Sequence, residues 1–332
     1  MAEPVPIQKL YAPVQAHRVE RRLILQRVFR ERASSVVILQ APAGHGKTMM
    51  LGQIKQACEA RGMESAWLNL DETDNDSRRH AHHLRALIEQ VVGKAKISTQ
   101  ILSKEGLRRP PQRADWLIEA LAMADHEIAL FIDEFEVMTD RSNLTFWRDF
   151  LLRHPPSVRI FMATRTSPEI GVAELMVRDQ LLLLSAEDLR FSRDEVTRYF
   201  VLHREIALQP AEIEAIYRRS EGWPAAVQLF RLSLSNPSTR NALGAIDQSR
   251  PRELAEYLTD SVLAGQPKDV RDFLLQTSIL SRLTGPLCNE LTGRSDSQQM
   301  LLRLEREGLF VRPLDTEQHL FRYHPLFASL LE

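Results

Sequence analysis

The most constraining feature of this sequence is a short apolar run that leads into a glycine-containing loop and then into a helical stretch. The run is Val-Val-Ile-Leu at 36–39, the loop is Ala-Pro-Ala-Gly-His-Gly-Lys-Thr at 41–48, and residues 48–60 are helical in composition. A continuous β-branched run is typical of a strand that is buried on both faces of a parallel sheet. The order strand, loop, helix therefore predicts a layered α/β domain.

The loop also carries the residue types that hold phosphate groups. Successive backbone N–H groups and the positive end of the following helix bind phosphate oxygens, provided that glycine lets the backbone approach closely. Lys47 is placed to reach the β- and γ-phosphates, and Thr48 to ligate Mg²⁺ through its hydroxyl. Ala41 stands where the general motif has its first glycine. We therefore predict a site for ATP and ADP, with contacts from Ala43, Gly44, His45, Gly46, Lys47, Thr48 and Met49.

A second apolar run, Ile-Ala-Leu-Phe-Ile at 128–132, ends in two acids. Strand carboxyl ends line the ligand crevice of a parallel sheet, so Asp133 is expected beside the loop, where it would hold Mg²⁺, mostly through water. Glu134 is placed to polarise an attacking water as a general base. The alternative is a pair of acids that complement a helix dipole. Arg165, which follows the run 158–163, either senses the γ-phosphate or forms a surface ion pair. The predicted catalytic residues are Lys47, Asp133, Glu134 and Arg165.

The pattern of apolar residues changes near position 185. Before it, runs at 65–70 and 181–184 add strands that alternate with helical stretches, which favours a doubly wound α/β domain. After it, Ser192 and Glu195 form a capping box, and helical periodicity extends to residue 332. Residues 308–311 and 320–323 fit the small hairpin of a winged helix, and the polar stretch 233–251 fits a linker.

Composition excludes several classes of partner. The 43 Lys and Arg residues are balanced by 44 Asp and Glu residues, so no global basic field favours nucleic acid or an anionic membrane. No apolar run approaches the ~18 residues of a spanning helix, and the start of the chain has no signal-peptide core. We expect a cytoplasmic protein without a membrane partner. Cys58 and Cys288 are far apart and are expected to be buried free thiols.

Two polar clusters stand outside the predicted site. His80 and His83 fall on one helical face, and we expect a solvated surface there because no Cys or carboxylate completes a metal site at a suitable spacing. Asp71, Asp74 and Asp76 are expected to shape the edge of the nucleotide crevice or to contact a partner.

Several motifs, taken together, resemble the MalT-like branch of the STAND signalling ATPases, the large LuxR-type transcriptional activators. The resemblance covers essentially the whole chain in order, and it rests on segments 41–48, 67–76, 189–191, 220–226, 273–278 and 323–327. It implies a P-loop NTPase domain with a doubly wound parallel sheet at 1–188, a small helical domain at 189–248 and a winged-helix domain at 249–332.

The resemblance also implies further site residues. Gly222 and Pro224 match a Gly-x-Pro turn on the adenine side of the nucleotide. Arg21 lies in a motif that lines the adenine pocket. His324 matches the winged-helix histidine whose imidazole reaches the β-phosphate of ADP in the resting state. The family implies that ADP locks a closed monomer, and that ATP with a small-molecule or protein inducer opens it for self-association.

The sequence departs from the family pattern in two places. Its acidic pair is Asp-Glu, where the family commonly has Asp-Asp, and this makes hydrolysis more plausible. Family members usually continue into a helical-repeat sensor and a LuxR-type helix-turn-helix, whereas this chain ends at Glu332. We therefore expect contact with DNA only through a carboxyl-terminal domain that these residues do not include.

Three hypotheses of function follow. The leading one is a nucleotide-controlled signalling switch of a transcriptional activator, with slow hydrolysis of ATP to ADP and phosphate used for switching. The alternative is an AAA+-type ATPase that loads or remodels macromolecules, which needs sustained turnover and an arginine from a neighbouring subunit. A nucleotide-dependent scaffold without useful hydrolysis is the third.

Overall fold

The computed structural model describes residues 5–13, 19–30, 34–92, 114–203, 208–235, 266–306, 311–315, 317–323 and 327–328. The chain divides into two compact units. The first unit contains residues 1–16, 20–40 and 47–188, and the second contains residues 17–19, 41–46 and 189–332. The predicted domain boundary at 248/249 and part of the predicted linker lie outside the described residues.

The first unit is built on a five-stranded parallel sheet with the order β2-β3-β4-β1-β5. Its strands are β1 (Val36–Gln40), β2 (Glu64–Asn69), β3 (Ile128–Asp133), β4 (Val158–Thr164) and β5 (Leu181–Leu184). All six residues of β3 are buried, as are the first four of β1, which confirms that these apolar runs are strands covered on both faces. The order places the carboxyl ends of β1 and β3 on either side of β4.

Helices surround this sheet. They are α1 (Arg22–Val28), α2 (Lys47–Glu59), α3 (Ser77–Val92), α4 (Asp115–Ala122), α5 (Arg141–Arg153), α6 (Val172–Val177) and α7 (Ala186–Leu189). Short 3-10 helices occupy Ile7–Leu10, Glu72–Asn75 and Phe135–Val137. The helix predicted over 20–32 is shorter in the structure, because Phe29 already leaves helical geometry. α2 begins at Lys47, directly after the predicted phosphate loop.

The second unit contains mainly helices, as its sequence predicts. They are α8 (Arg193–Leu202), α9 (Pro210–Ser220), α10 (Pro224–Ser235), α11 (Lys268–Thr277), α12 (Gly285–Thr292) and α13 (Ser297–Arg306). The capping box is confirmed, since the Ser192 side chain accepts from the Glu195 backbone and Glu195 accepts from the Ser192 backbone. The predicted hairpin is present as β6 (Val311–Pro313) paired antiparallel with β7 (Phe321–Tyr323).

Each unit has its own apolar core. The core of the first unit lies between the sheet and its helices and includes Trp147 and Phe150. The core of the second unit includes Trp223 and Phe273 and reaches Phe321 of the hairpin. Cys58 and Cys288 are buried free thiols, as predicted, and burial raises the pKa of the Cys58 thiol to about 12. Within the described ranges, no helix is both long and apolar enough to cross a bilayer.

The expectation of a solvated histidine face on α3 is wrong for His80 and His83. Both side chains are buried, and both contact the carboxylate of Asp74, whose side chain is also fully buried. Burial of these polar groups is possible because each finds a hydrogen-bond partner inside the unit. Asp74 is therefore an internal anchor, and the partner contact that was one alternative predicted for it is wrong, because its side chain is fully buried.

Candidate functional site

The predicted phosphate loop has the backbone geometry that its glycines allow. Gly44 and Gly46 both have φ of 75°, the left-handed region that favours glycine. At Gly44 there is a second reason, because an added Cβ would lie 2.7 Å from the Cβ of Ala225. The Ala225 N–H donates to the Gly44 carbonyl at 3.0 Å, which fixes this close approach within the second unit. His45 is buried, and its ring centroid lies 6.2 Å from that of Trp223.

The start of α2 meets the end of β3 inside the first unit. The Thr48 hydroxyl hydrogen-bonds with the carboxylate of Asp133, which is 1% exposed. Burial raises the pKa of Asp133, and the hydrogen bond from Thr48 opposes that shift. A hydroxyl and a carboxylate in contact are two of the oxygen ligands that Mg²⁺ prefers, and Mg²⁺ usually keeps several waters and phosphate oxygens as its other ligands. These two residues therefore fit the predicted metal.

Lys47, the first residue of α2, lies in the field of several carboxylates. It is 7% exposed, and burial lowers the pKa of its ammonium group. The charges of Glu136, Glu134 and Asp133 oppose that shift, whereas the charge of Arg165 adds to it. A buried lysine surrounded by acids can exchange those partners for phosphate oxygens, and the electrostatics are compatible with the predicted role.

Glu134 follows β3 in an unusual backbone conformation. Its φ of 56° and ψ of 40° are left-handed, and its N–H donates to the Asp133 carboxylate at 2.9 Å. Although burial raises its pKa, hydrogen bonding with Glu136 and the charges of Arg165 and Lys47 bring it below the usual value. Glu134 is therefore a carboxylate at neutral pH, which is the state that a general base requires.

Arg165 lies directly after β4 and contacts the acids of the same unit. Its Nη2 is 3.3 Å from Oε2 of Glu134, and its Nε is 2.6 Å from Oε1 of Glu136. The ion pair that the sequence left open as an alternative for Arg165 is thus present, but it is formed with a predicted catalytic residue and with its neighbour. Whether Arg165 senses a phosphate stays a prediction.

Glu136 is a residue of this cluster that sequence reasoning missed. It lies on the 3-10 helix after β3, and its side chain is 13% exposed. Burial and hydrogen bonding with Glu134 raise the pKa of Glu136 to about 7. No spacing rule indicates this position, because only the sharp turn at Glu134 brings the carboxyl group back to the strand ends.

A polar anchor holds the chain that follows Glu136. The side-chain oxygen of Asn75 accepts hydrogen bonds from the backbone N–H groups of Thr139, at 2.7 Å, and Asp140, at 2.9 Å. The Asn75 amide also donates to the carbonyl of Val137 at 2.8 Å. This residue therefore links the segment after β2 with the segment after β3, and it stabilises the turn that carries the acids.

Arg21, predicted to line an adenine pocket, is buried in the first unit. Its backbone N–H donates to Gln53 at 2.9 Å, and its Nη2 donates to the carbonyl of Asp188 at 3.1 Å. These contacts tie the segment before α1 to α2 and to α7. The predicted contact with adenine stays a prediction.

Gly222 and Pro224 lie together in a tight turn of the second unit. Gly222 has φ of 72°, and an added Cβ would lie 2.1 Å from the carbonyl oxygen of Phe191. The Phe191 N–H donates to the Gly222 carbonyl at 2.7 Å, so two of the segments that carry the family resemblance pack directly on each other. Pro224 is the first residue of α10, where its missing N–H removes no helical hydrogen bond. His324, the predicted contact of the ADP β-phosphate, lies outside the described residues.

Two families match separate parts of the chain. The family described as MalT winged helix domain matches residues 259–332. The family described as Nephrocystin 3, N-terminal, matches residues 22–165. The first match coincides with the region in which the sequence predicts a winged helix and in which the structure has the β6–β7 hairpin. The second covers β1 to β4 of the parallel sheet.

Curated relatives match nearly the whole chain. The HTH-type transcriptional regulator MalT of Cronobacter sakazakii is 31% identical over 97% of this chain and 36% of the relative. The protein of the same name from Yersinia enterocolitica is 32% identical over 89% of this chain and 33% of the relative. The chain thus spans about a third of the length of the curated relatives that it matches.

Two solved structures show a loose likeness. The Aeropyrum pernix ORC1 protein in complex with DNA has a TM-score of 0.44 at 13% identity, over 94% of this chain and 90% of that chain. AMPPCP-bound DnaA from Aquifex aeolicus has a TM-score of 0.41 at 12% identity, over 86% and 88% of the two chains. The predicted fold class is confirmed by the parallel sheet with its helices together with the winged-helix match.

Proposed function

Because this chain is MalT-like along 97% of its length, we propose that it is the ATP- and ADP-binding module of a transcriptional regulator. In this proposal the nucleotide state sets a switch: the ADP form is a closed monomer, and the ATP form self-associates when an inducer binds. The three-part division at residues 188 and 248 belongs to the same proposal. Contact with DNA is assigned to a part of the regulator outside these residues.

One observation carries the proposal. Lys47 and Thr48 at the start of α2 lie near Asp133 at the end of β3, and the Thr48 side chain is hydrogen-bonded to the Asp133 carboxylate. A lysine, a hydroxyl and a carboxylate at the carboxyl edge of a parallel sheet form the set that a Mg²⁺-nucleotide requires. Gly44 and Gly46 precede them in the chain with the left-handed backbone that a phosphate-binding loop uses.

Each side chain has a defined task in this proposal. Lys47 donates hydrogen bonds to phosphate oxygens, and Thr48 and Asp133 hold Mg²⁺, whose charge offsets that of the phosphates. Glu134 accepts a proton from an attacking water at its carboxylate. Arg165 donates to the γ-phosphate, and Gly222, Pro224 and Arg21 border the adenine. His324 donates to the β-phosphate of ADP and favours the closed form.

Nucleotide affinity tests the proposal directly. We expect the 332-residue chain to bind Mg²⁺-ATP and ADP in isothermal titration calorimetry, and Lys47→Ala to weaken both by roughly 10- to 100-fold, the loss of a charge-assisted hydrogen bond. Lys55→Ala is the matched control, since Lys55 is on the same helix and pairs with Glu59 on its outer surface. The proposal is wrong if the wild-type chain binds neither nucleotide or if Lys47→Ala and Lys55→Ala behave alike.

The alternative function remains a remodelling or loading ATPase. It predicts continuous turnover that rises steeply as the protein concentration is raised, because the subunits of such an assembly complete one another's sites. The proposed switch predicts slow turnover that depends little on protein concentration. A phosphate-release assay over a wide range of protein concentrations separates the two.

A further inference from the structure

We propose that Glu136 is a specificity-determining residue, which weakens the preference of the site for ATP over ADP by holding Arg165 against the acidic pair. This inference rests on the proposed function, since it concerns how the same site distinguishes a triphosphate from a diphosphate. It adds a residue that neither the phosphate-loop motif nor the acidic pair contains.

The geometry shows a clamp on Arg165. One oxygen of the Glu136 carboxylate lies 2.6 Å from Nε of Arg165, and the other accepts from the backbone N–H of Arg165 at 3.1 Å. Glu136 therefore fixes both the main chain and the base of the guanidinium group. Glu134 contacts the same guanidinium at Nη2, at the longer distance of 3.3 Å.

Burial makes the contact with Glu136 the stronger of the two. The Glu136 side chain is 13% exposed, whereas that of Glu134 is 39% exposed. Interactions between charges weaken as water access increases, so the better-buried carboxylate holds the guanidinium more firmly. Of the two acids, Glu136 thus contributes most to neutralising Arg165.

This neutralisation affects ATP and ADP differently. Two carboxylates already compensate the charge of the Arg165 guanidinium group in the structure. A γ-phosphate that binds Arg165 must compete with Glu136 for the charge of the guanidinium group. ADP lacks the γ-phosphate, so the binding of ADP does not require this competition with Glu136.

Glu136→Gln, which keeps the size of the side chain and removes its charge, tests the inference. We expect the affinity for Mg²⁺-AMPPNP, a non-hydrolysable triphosphate, to rise about three- to tenfold, and the affinity for ADP to change less than about twofold. Titrations at about pH 8 keep the wild-type carboxyl group ionised, because burial raises the pKa of Glu136 only to about 7.

A double-mutant cycle shows whether the effect passes through Arg165. In an Arg165→Gln background, Glu136→Gln should leave the affinity for AMPPNP unchanged, since no guanidinium remains to be released. Glu169→Gln is the control for net charge, because it removes an exposed acid that follows Arg165 on the same segment. Glu136→Met, of similar size and also uncharged, serves as the second variant if Glu136→Gln is unstable.

Three results would overturn the inference: equal changes for AMPPNP and ADP, a gain that persists without Arg165, or a weaker affinity for AMPPNP in Glu136→Gln. Each leaves the proposed function intact, because wild-type nucleotide binding is measured in the same series. Absence of any binding by the wild-type chain would instead refute the proposed function, and this inference with it.

Discussion

At Gly222 the absence of a side chain lets two segments of the second unit touch. The carbonyl oxygen of Phe191 occupies the place where a Cβ would stand, and the Phe191 N–H bonds to the Gly222 carbonyl. The neighbouring Glu221 is also left-handed, with φ of 47°, and its carboxylate pairs with Arg190 and Arg322. Packing and charge therefore hold the turn and offset the left-handed strain at Glu221, whatever the turn contributes to nucleotide binding.

We expect Gly222→Ala to lower the free energy of unfolding by about 3 kcal/mol or more, because it adds a backbone collision to left-handed strain of about 1–2 kcal/mol. Gly293→Ala is the matched control, since Gly293 has φ of 71° but, among the residues that the structure describes, no atom lies within 4 Å of an added Cβ. Urea unfolding without nucleotide measures both variants. Equal losses would show that the contact with Phe191 yields easily and that only the left-handed backbone matters.

Among the elements of the first unit, a buried polar network joins four helical segments. Asp74 accepts from Lys9 of the first 3-10 helix at 2.5 Å, and from His83 of α3 at 2.7 Å. Trp147 of α5 donates its Nε1–H to Nε2 of His80 at 3.0 Å, so His80 carries its proton on Nδ1, which faces Asp74 at 3.3 Å. The neutral imidazole satisfies both neighbours, and a second proton on Nε2 would oppose the Trp147 donor.

This arrangement predicts a loss of stability in mild acid. Burial lowers the pKa of His80 below the value of about 6.5 that it has in the unfolded chain, despite the opposing hydrogen bond with Asp74. The contribution of neutral His80 to the free energy of unfolding is therefore complete above about pH 6.5. It declines as the pH falls, because the unfolded chain binds a proton at this histidine more readily than the folded chain does. Protonation of Asp74 lowers the free energy of unfolding only in stronger acid, because the pKa of Asp74 lies below its usual value of 3.8.

We expect the free energy of unfolding to fall less between about pH 7.5 and about pH 5.5 in His80→Gln than in the wild type, by up to about 1 kcal/mol. Glutamine can still accept from Trp147 and donate to Asp74. His319→Gln, which removes an exposed histidine, should keep the wild-type slope. Parallel slopes for all three proteins would contradict a neutral buried His80.

The elements of the fold that could be predicted are those that depend on residues close together in the sequence. β1 and β3 are continuous apolar runs, and the glycines of the phosphate loop lie beside the strand and helix that they connect. The clamp on Arg165 could not be predicted, since Glu136 and Arg165 are 29 positions apart and meet only after the turn at Glu134. The burial of His80 escaped prediction for a similar reason, because its partners come from separate elements.

At the scale of the whole molecule, the proposed switch has to be driven by differences in binding free energy. Moving a closed-to-open ratio from 99:1 to 1:99 needs a ligand that binds the open form about 10⁴-fold more tightly, or about 5.5 kcal/mol. One charge-assisted hydrogen bond to a γ-phosphate supplies about 1.5–3 kcal/mol, which multiplies the open-to-closed ratio by only roughly 10- to 150-fold. In the proposal that Arg165 makes this bond, its compensated charge favours the lower end of that range.

ATP alone is therefore expected to activate poorly. In sedimentation velocity experiments with Mg²⁺-AMPPNP and no inducer, most of the chain should remain monomeric, as we also expect with ADP. Glu134→Gln, which removes the proposed general base, should keep ATP bound for far longer without itself causing assembly. The substitution does not change the difference between the affinities of the open and closed forms for ATP. Glu119→Gln, an exposed acid on α4, is the control for charge. Full assembly of the wild-type chain with AMPPNP alone would mean that the γ-phosphate supplies the whole difference and that no inducer is needed.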